Sequence, residues 1–434
     1  MSVSRHFLTN CRKFPDAGGC TLAARFETGE PAMAAENRLE FLFLNLGHFY
    51  DHLFILIYAT VAALVLPAAF EMSYADLIIY ATPGFIAFGA FALPAGWLAD
   101  RWSRRGMMMV FFLGIGVSAM LTGLAQTPLE IGAGLFFIGM FAAIYHPVGI
   151  TMVVEARPVK TGVALGINGV WGNMGVASAA VVAGALIDIS GWRAAFVVPG
   201  ATAIVTGLAY MLLCRSHGRA PGKPGGAAKG AGVVLDKRVL VIIFAVIALT
   251  TTLGSFIFQS MTFALPRVLE ERLSDVYGSA TAIGFSAFGV FAIASMAQVL
   301  IGHLVDRHSI RTVFAFVAGL QIPAFMLAVG LSGLPILIGA VAFMLLIFGQ
   351  IPINDALLSR ITTPQYRSRI YAIKFVLSFS VAAAAIPIVA LLHETTGFDG
   401  MFIAMTGIAA VILLCVLALP RTSAMTAPAA SPAS

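Results

Sequence analysis

Gly96-Trp-Leu-Ala-Asp100-Arg101-Trp-Ser-Arg104-Arg105 closes one long apolar run, and Gly302-His-Leu-Val-Asp306-Arg307-His-Ser-Ile-Arg311 closes another, 206 positions later. Glycine, aspartate, arginine and serine recur at matching places, so the chain reads as two related halves. Each half holds about six hydrophobic stretches long enough to cross a hydrocarbon layer of about 30 Å, which takes roughly 20 helical residues. This predicts an all-α, polytopic membrane protein of about twelve transmembrane helices in two pseudo-symmetric six-helix bundles, the plan of a secondary transporter.

Composition agrees. Hydrophobic residues fill 59% of the 434 positions and charged residues 11%, with a mean hydropathy of +0.94. Soluble domains carry about 25% charged residues, so soluble and nucleic-acid-binding roles are excluded. Spans are expected near 41–66, 75–98, 107–125, 129–153, 163–187, 194–214, 239–266, 278–303, 312–331, 335–359, 370–393 and 399–419. They divide the chain into an N-terminal arm (1–40), a first bundle (41–214), a linker (215–238), a second bundle (239–420) and a tail (421–434). The linker is basic and rich in Gly and Pro without an apolar period, and reads as a flexible connector. The tail reads as disordered.

Cytoplasmic loops retain Lys and Arg. With the N-terminus inside, sixteen basic loop and linker residues, among them Arg101, Arg104, Arg105, Arg157, Lys160 and Arg307, fall on the cytoplasmic side, against Arg193, Arg267 and Arg272 outside. Both termini are therefore expected in the cytoplasm and the protein in the inner (plasma) membrane. The net charge of +6 is accounted for by loops facing anionic lipid. No apolar signal segment precedes the first span, so no cleaved signal is predicted, and Met33 is an alternative start. The four cysteines, Cys11, Cys20, Cys214 and Cys415, suggest no disulfide framework.

Ionisable and amide side chains inside spans are costly and tend to face a cavity. Span 1 carries Asn45-Leu-Gly-His48-Phe-Tyr-Asp51-His52, where spacings of three and four place Asn45, His48 and His52 on one helical face with Asp51 beside it. A histidine beside a carboxylate can take up and release a proton near neutral pH. The same group would also serve as static polar packing, or as part of a solvated cytoplasmic mouth. Two histidines without clear further ligands make a poor metal site, so no metal and no cofactor are expected.

In span 4, Tyr145-His146-Pro147-Val-Gly149 places a kinking proline beside His146, which is expected to line a cavity. Span 5 runs Gly162-Val-Ala-Leu-Gly166-Ile-Asn168-Gly169-Val-Trp171-Gly172-Asn173-Met-Gly175, with glycines spaced for close helix contact and Asn168 and Asn173 needing partners. In the second half Gln350, Asn354 and Asp355 share span 10, and Asp355 is placed to pair with Lys374 of span 11. That pair would either serve transport or only fix helix register. The 206-residue offset carries His146 onto Pro352, so the span 4 kink is expected to recur in span 10.

Asp100 sits at the negative end of its helix dipole, where a carboxylate needs a cation or a facing helix N-terminus. Gly96, Asp100, Arg101, Arg104 and Arg105, with Gly302, Asp306 and Arg307, are therefore candidate gating residues, made or broken as the halves move. Arg104 and Arg105 would alternatively act as anchors only. Ile310 replaces one basic residue, so the second latch is expected to be weaker.

The cassettes and the two sets of six spans resemble the major facilitator superfamily over about 40–420. The resemblance implies a substrate cavity between the halves and rocking that opens each side alternately. His48 followed by an acid, His146-Pro147, and Gly172-Asn173-Met-Gly175 narrow it to the fosmidomycin-resistance type, a branch associated with drug efflux. In this chain the acid and polar residue after His48 are permuted as Asp51-His52, span 4 lacks the arginine of many drug/proton antiporters, and Asn173 stands where a proline is common.

The function implied is proton-coupled transport of a small organic solute, with export of a drug-like or toxic compound favoured. A metabolite uptake symporter and a non-transporting membrane sensor are the rivals. The expected partners are a small-molecule substrate, protons and the bilayer, with the chain a monomer. No nucleophile–base constellation or phosphate loop points to an enzyme.

Overall fold

A computed structural model describes residues 35–156, 161–216, 237–361 and 364–419, and these are helices and short turns, with no strand among them. The expected features of residues 1–34, Arg157 and Lys160, most of the linker and the tail lie outside the described residues.

Helix α1 is Ala35–Leu64; Tyr74–Ile78 and a tight turn at Ile79–Ala81 lead into α2, Thr82–Arg101. Then follow α3 (Arg104–Gly123), α4 (Pro128–Ala142), α5 (Thr161–Ser190) and α6 (Ala194–Ser216). The second set has α7 (Lys237–Leu273), α8 (Ala280–Arg307), α9 (Ile310–Ala328) and α10 (Pro335–Ile361). Helix α1 starts inside the stretch expected to be an arm, because Ala35-Glu-Asn-Arg-Leu-Glu40 is made mostly of good helix formers. Glu40 is held there by both nitrogens of a fork from Arg105 (2.8 and 2.7 Å).

The last helical stretch, Pro364–Leu417, is two spans. Its apolar part, Leu377–Leu417, has 41 residues, about 60 Å at 1.5 Å per residue and twice the hydrocarbon thickness. Gly397 breaks it with φ 64° and ψ −170°, a backbone conformation that L side chains resist. The parts before and after it are α11 (364–396) and α12 (398–417), which completes twelve spans.

Matching caps confirm the repeat in three dimensions. Ser73 Oγ accepts from Asp76 N (3.1 Å) and Ser279 Oγ from Ala282 N (3.2 Å); Ser103 Oγ accepts from Gly106 N (3.0 Å) and Ser309 Oγ from Thr312 N (3.1 Å). Each pair is 206 residues apart, and each cap contributes about 1 kcal/mol to its helix.

Pro147 breaks α4 as expected. Tyr145–Gly149 form a wide π turn, after which Ile150–Ala156 resume the α-helix. The π turn has no counterpart in span 10, where α10 runs as α-helix through Pro352. A proline in a membrane helix is accommodated by small local adjustments, and here only the first half departs from α geometry. Nor do all the span 5 glycines serve close packing. A Cβ at Gly172 would fall 2.7 Å from the His48 ring and one at Gly175 2.3 Å from Phe49 O, but Gly166 and Gly169 have nothing within 4 Å. Gly96 abuts Pro147 (3.2 Å to its Cβ), whereas Gly302 has open space.

The loops alternate between two faces, one carrying the linker. Contacts between the halves concentrate toward the opposite face, where α5 crosses α8 closely enough that a Cβ on Gly184 or Gly284 would sit 2.3 or 2.5 Å from a backbone oxygen of the other helix. There too Arg267 of α7 donates to Ala63 O of α1 (3.1 Å). Near the linker face no hydrogen bond or ion pair joins the halves among the described residues.

Candidate functional site

A cavity of about 400 Å³ lies between the halves. His48 and His52 of α1, His146 of the wide turn, and Asn173 of α5 supply polar groups from the first half; Gln259, Gln298, Gln350, Asn354, Asp355 and Lys374 supply them from the second. Phe88, Phe258 and Phe379 are the aromatic lining.

The first-half wall is a connected polar network. Asn168 donates through Nδ2 to Asn45 Oδ1 (3.0 Å) and to the Tyr145 hydroxyl (2.8 Å), and that hydroxyl donates to Leu44 O (2.8 Å). His48 Nδ1 lies 2.8 Å from Asn168 O. A backbone carbonyl can only accept, so His48 donates through Nδ1 and its Nε2 carries the lone pair when the ring is neutral. The His48 ring stacks on Tyr145 with centroids 4.9 Å apart and meets His52 at 5.0 Å and His146 at 5.5 Å.

Behind this wall sits Asp51, fully buried, with Oδ2 3.2 Å from His146 Nε2. That contact is a close approach rather than a hydrogen bond, and neither carboxylate oxygen has a hydrogen-bond partner. An ionised carboxylate buried without a cation is expensive, so Asp51 needs a proton or a positive group beside it.

His48, His52 and His146 present nitrogens within 4.8 Å of one another. Tetrahedral zinc with Zn–N near 2.1 Å needs nitrogens about 3.4 Å apart. One of the three, His146, already faces Asp51.

The opposite wall is built differently. Lys374 and Asp355 form the expected ion pair, with the carboxylate side 42% exposed. Asn354 Oδ1 accepts from Thr250 (3.2 Å), and Asn173 reaches across the halves to Gln298 (3.2 Å). Gln350 Oε1 accepts from Gln321 Nε2 (2.9 Å), which also donates to Leu346 O (3.2 Å). Tyr145 and Gln321 are organising residues that sequence reasoning did not select as sites. A tyrosine or glutamine in an apolar run signals a polar contact without naming its partner.

The cassettes also differ. Arg104 bridges Asp100 (3.0 Å) and Glu155 at the end of the α4 continuation, so the first cassette ties α2 to α4 within one half. Arg101 is not Asp100's partner; it lies over the Trp97 ring at 4.3 Å. In the second cassette buried Ile310 replaces the bridging arginine; Asp306 makes no ion pair among the described residues, and exposed Arg307 has no described acidic partner.

Twelve membrane-crossing helices in two matched sets around a polar cavity define a secondary transporter. The family model described as Major Facilitator Superfamily matches residues 44–274 and 253–433, and the chain belongs to that family. Among curated proteins it is 29% identical over 134 residues to the puromycin resistance protein pur8 of Streptomyces alboniger (30% of this chain, 27% of that protein). It is 26% identical over 238 residues to the nitrite extrusion protein of Bacillus subtilis (54% and 58%), and 25% identical over 231 residues to the cis,cis-muconate transport protein of Acinetobacter baylyi (51% and 55%). These alignments span between about a quarter and three fifths of the relatives' lengths. In fold it is similar to the crystal structure of a bacterial homologue of the human lysosomal transporter Spinster in an inward-facing, unoccupied conformation, with TM-score 0.68, 16% identity, and coverage of 89% of this chain and 95% of that one.

Proposed function

We propose that the chain moves a small organic solute across the inner membrane by alternating access, coupled to protons, with export of a drug-like or toxic compound as its direction. The observation that carries the coupling is Asp51, a fully buried carboxylate with one imidazole facing it and neither oxygen hydrogen-bonded. The titratable groups packed around it are His146, His48, His52 and Tyr145, and the Asp355–Lys374 pair lies on the far wall of the same cavity. Through His146, which lines the cavity, the buried proton can respond to what enters it.

The linker face is taken as cytoplasmic from its excess of basic residues, with both termini on that side and the chain acting as a monomer. Export is supported by two similar proteins named for resistance and extrusion, and by the fosmidomycin-resistance-type pattern of His48, His146, Pro147 and Gly172-Asn173-Met-Gly175. Asn45, Asn168, Asn173, Gln350, Asn354, Asp355 and Lys374 take the roles of holding the histidine wall and contacting substrate.

The test is a pH-gradient assay in proteoliposomes holding wild type or Asp51→Asn, with an internal pH dye and a panel of compounds that includes phosphonate antibiotics. Wild type is expected to move protons only with substrate. Asp51→Asn is expected to lose that movement while still exchanging substrate across the membrane at equal pH. Proton movement that survives the substitution sinks the assignment to Asp51.

A further inference from the structure

Asp188 lies in the last turn of α5, at the negative end of that helix's dipole, where a carboxylate is unfavourable without positive potential nearby. It finds that potential in the other half. Its Oδ1 accepts from Ala280 N (3.2 Å), and its Oδ2 accepts from Thr281 N (2.7 Å) and from the Thr281 hydroxyl (2.6 Å). Ser279 already caps the next backbone N–H of α8, that of Ala282. The first three N–H groups of α8 are thus satisfied, two of them by an acid from the opposite half. Gly184 and Gly284 bring the two backbones together beside this contact.

The pseudo-symmetric seam between α11 and α2 lacks the device. Ser73 repeats the serine cap, but Glu394, 206 residues after Asp188, makes no hydrogen bond or ion pair among the described residues. There the Tyr74 ring packs edge-on against His393 at 5.1 Å.

We propose that Asp188 is the latch that holds the face opposite the linker closed, and that opening the cavity to that face requires its carboxylate to leave the N-terminus of α8. This rests on the alternating-access reading above, and assigns one of its gates to a residue outside the cavity and outside both cassettes.

Pulsed electron paramagnetic resonance tests it. Spin labels go on Leu129→Cys and Leu334→Cys, exposed positions at the opposite-face ends of the two halves, in a background with Cys11, Cys20, Cys214 and Cys415 replaced, in lipid nanodiscs. Asp188→Asn, which removes the charge and one of the two acceptor oxygens, is expected to shift the ratio of short to long distances about fivefold toward long, the size of one helix-cap contribution. Thr281→Val, which removes only the hydroxyl bond, is expected to shift it in the same direction by about twofold, and carries the test if Asp188→Asn fails to fold. Asp188→Glu, which keeps the charge, is expected to fall between wild type and Asp188→Asn.

A wild type with two distance populations that neither Asp188→Asn nor Thr281→Val moves overturns the latch alone. One fixed distance at every pH, in wild type and variants alike, overturns the alternating-access reading beneath it. Because the measurement needs no substrate, it is independent of where the coupling proton resides.

Discussion

The two halves share a scaffold and divide the chemistry. At the 206-residue offset Ser73 answers Ser279 and Ser103 answers Ser309, each pair with the same cap geometry. The polar residues of the first half meet unlike residues in the second: His48 meets Gly254, Asp51 meets Ile257, His146 meets Pro352 and Asn168 meets Lys374. Helix ends and spans are repeated because any six-helix bundle must satisfy its termini and match the bilayer. A buried acid is tolerated only where its charge can be neutralised, and Asp51 with His146 facing it is the fully buried case. The first half offers a histidine wall backed by a buried acid, and the second offers amides and a part-buried ion pair.

Several substitutions would break or sharpen this contrast. The largest effect is expected from Asp51→Asn, with at least about a tenfold loss of pH-driven flux in proteoliposomes, set by loss of the group that holds the proton. The mirror change, Ile257→Asp, places an acid at the matching point of the second half without a histidine. It is expected to destabilise the protein by about 3 kcal/mol, seen as a lowered thermal transition in detergent, and to add no proton movement.

Tyr145→Phe keeps the ring under His48 but leaves one buried Asn168 N–H without a partner. About 1–3 kcal/mol of stability should go with it. A scan that shows no change in Tm would remove Tyr145 from the network.

The smallest effects belong to the cassettes. Arg104→Ala frees Asp100 and Glu155 near the membrane surface, where such pairs contribute about 0–1 kcal/mol. Its measurable signature is a change in flux that high salt reproduces in wild type. Gly96→Ala should lower stability slightly, because Pro147 stands 3.2 Å from the added carbon, whereas Gly302→Ala should be neutral in open space. Equal losses at both glycines would show that the cassettes are held alike.

Much of the architecture was legible along the chain. The twofold repeat, the span count, the disrupted backbone at Pro147 and the pairing of Asp355 with Lys374 all followed from local pattern and spacing. Rotation of each helix about its axis did not. In a soluble helix an apolar stripe tells which face is inside; in a membrane helix the lipid face and the packed face are both apolar, so pattern gives little direction. That is why Gly166 and Gly169 could not be distinguished from Gly172 and Gly175, and why Arg101 and Arg104 looked equally able to hold Asp100.

The sequence by itself determined the class of protein, its two halves and the short set of polar residues worth watching, because the length of an apolar run and the cost of a charge inside it are properties of the residues alone. Only the tertiary structure decided that Asp51 meets His146 from 95 positions away, that Asn168 is the centre of the first-half network, and that Asp188 caps a helix of the other half. Those contacts depend on how packed helices are rotated and which face of the molecule is closed, and neither is written in the order of residues along one helix.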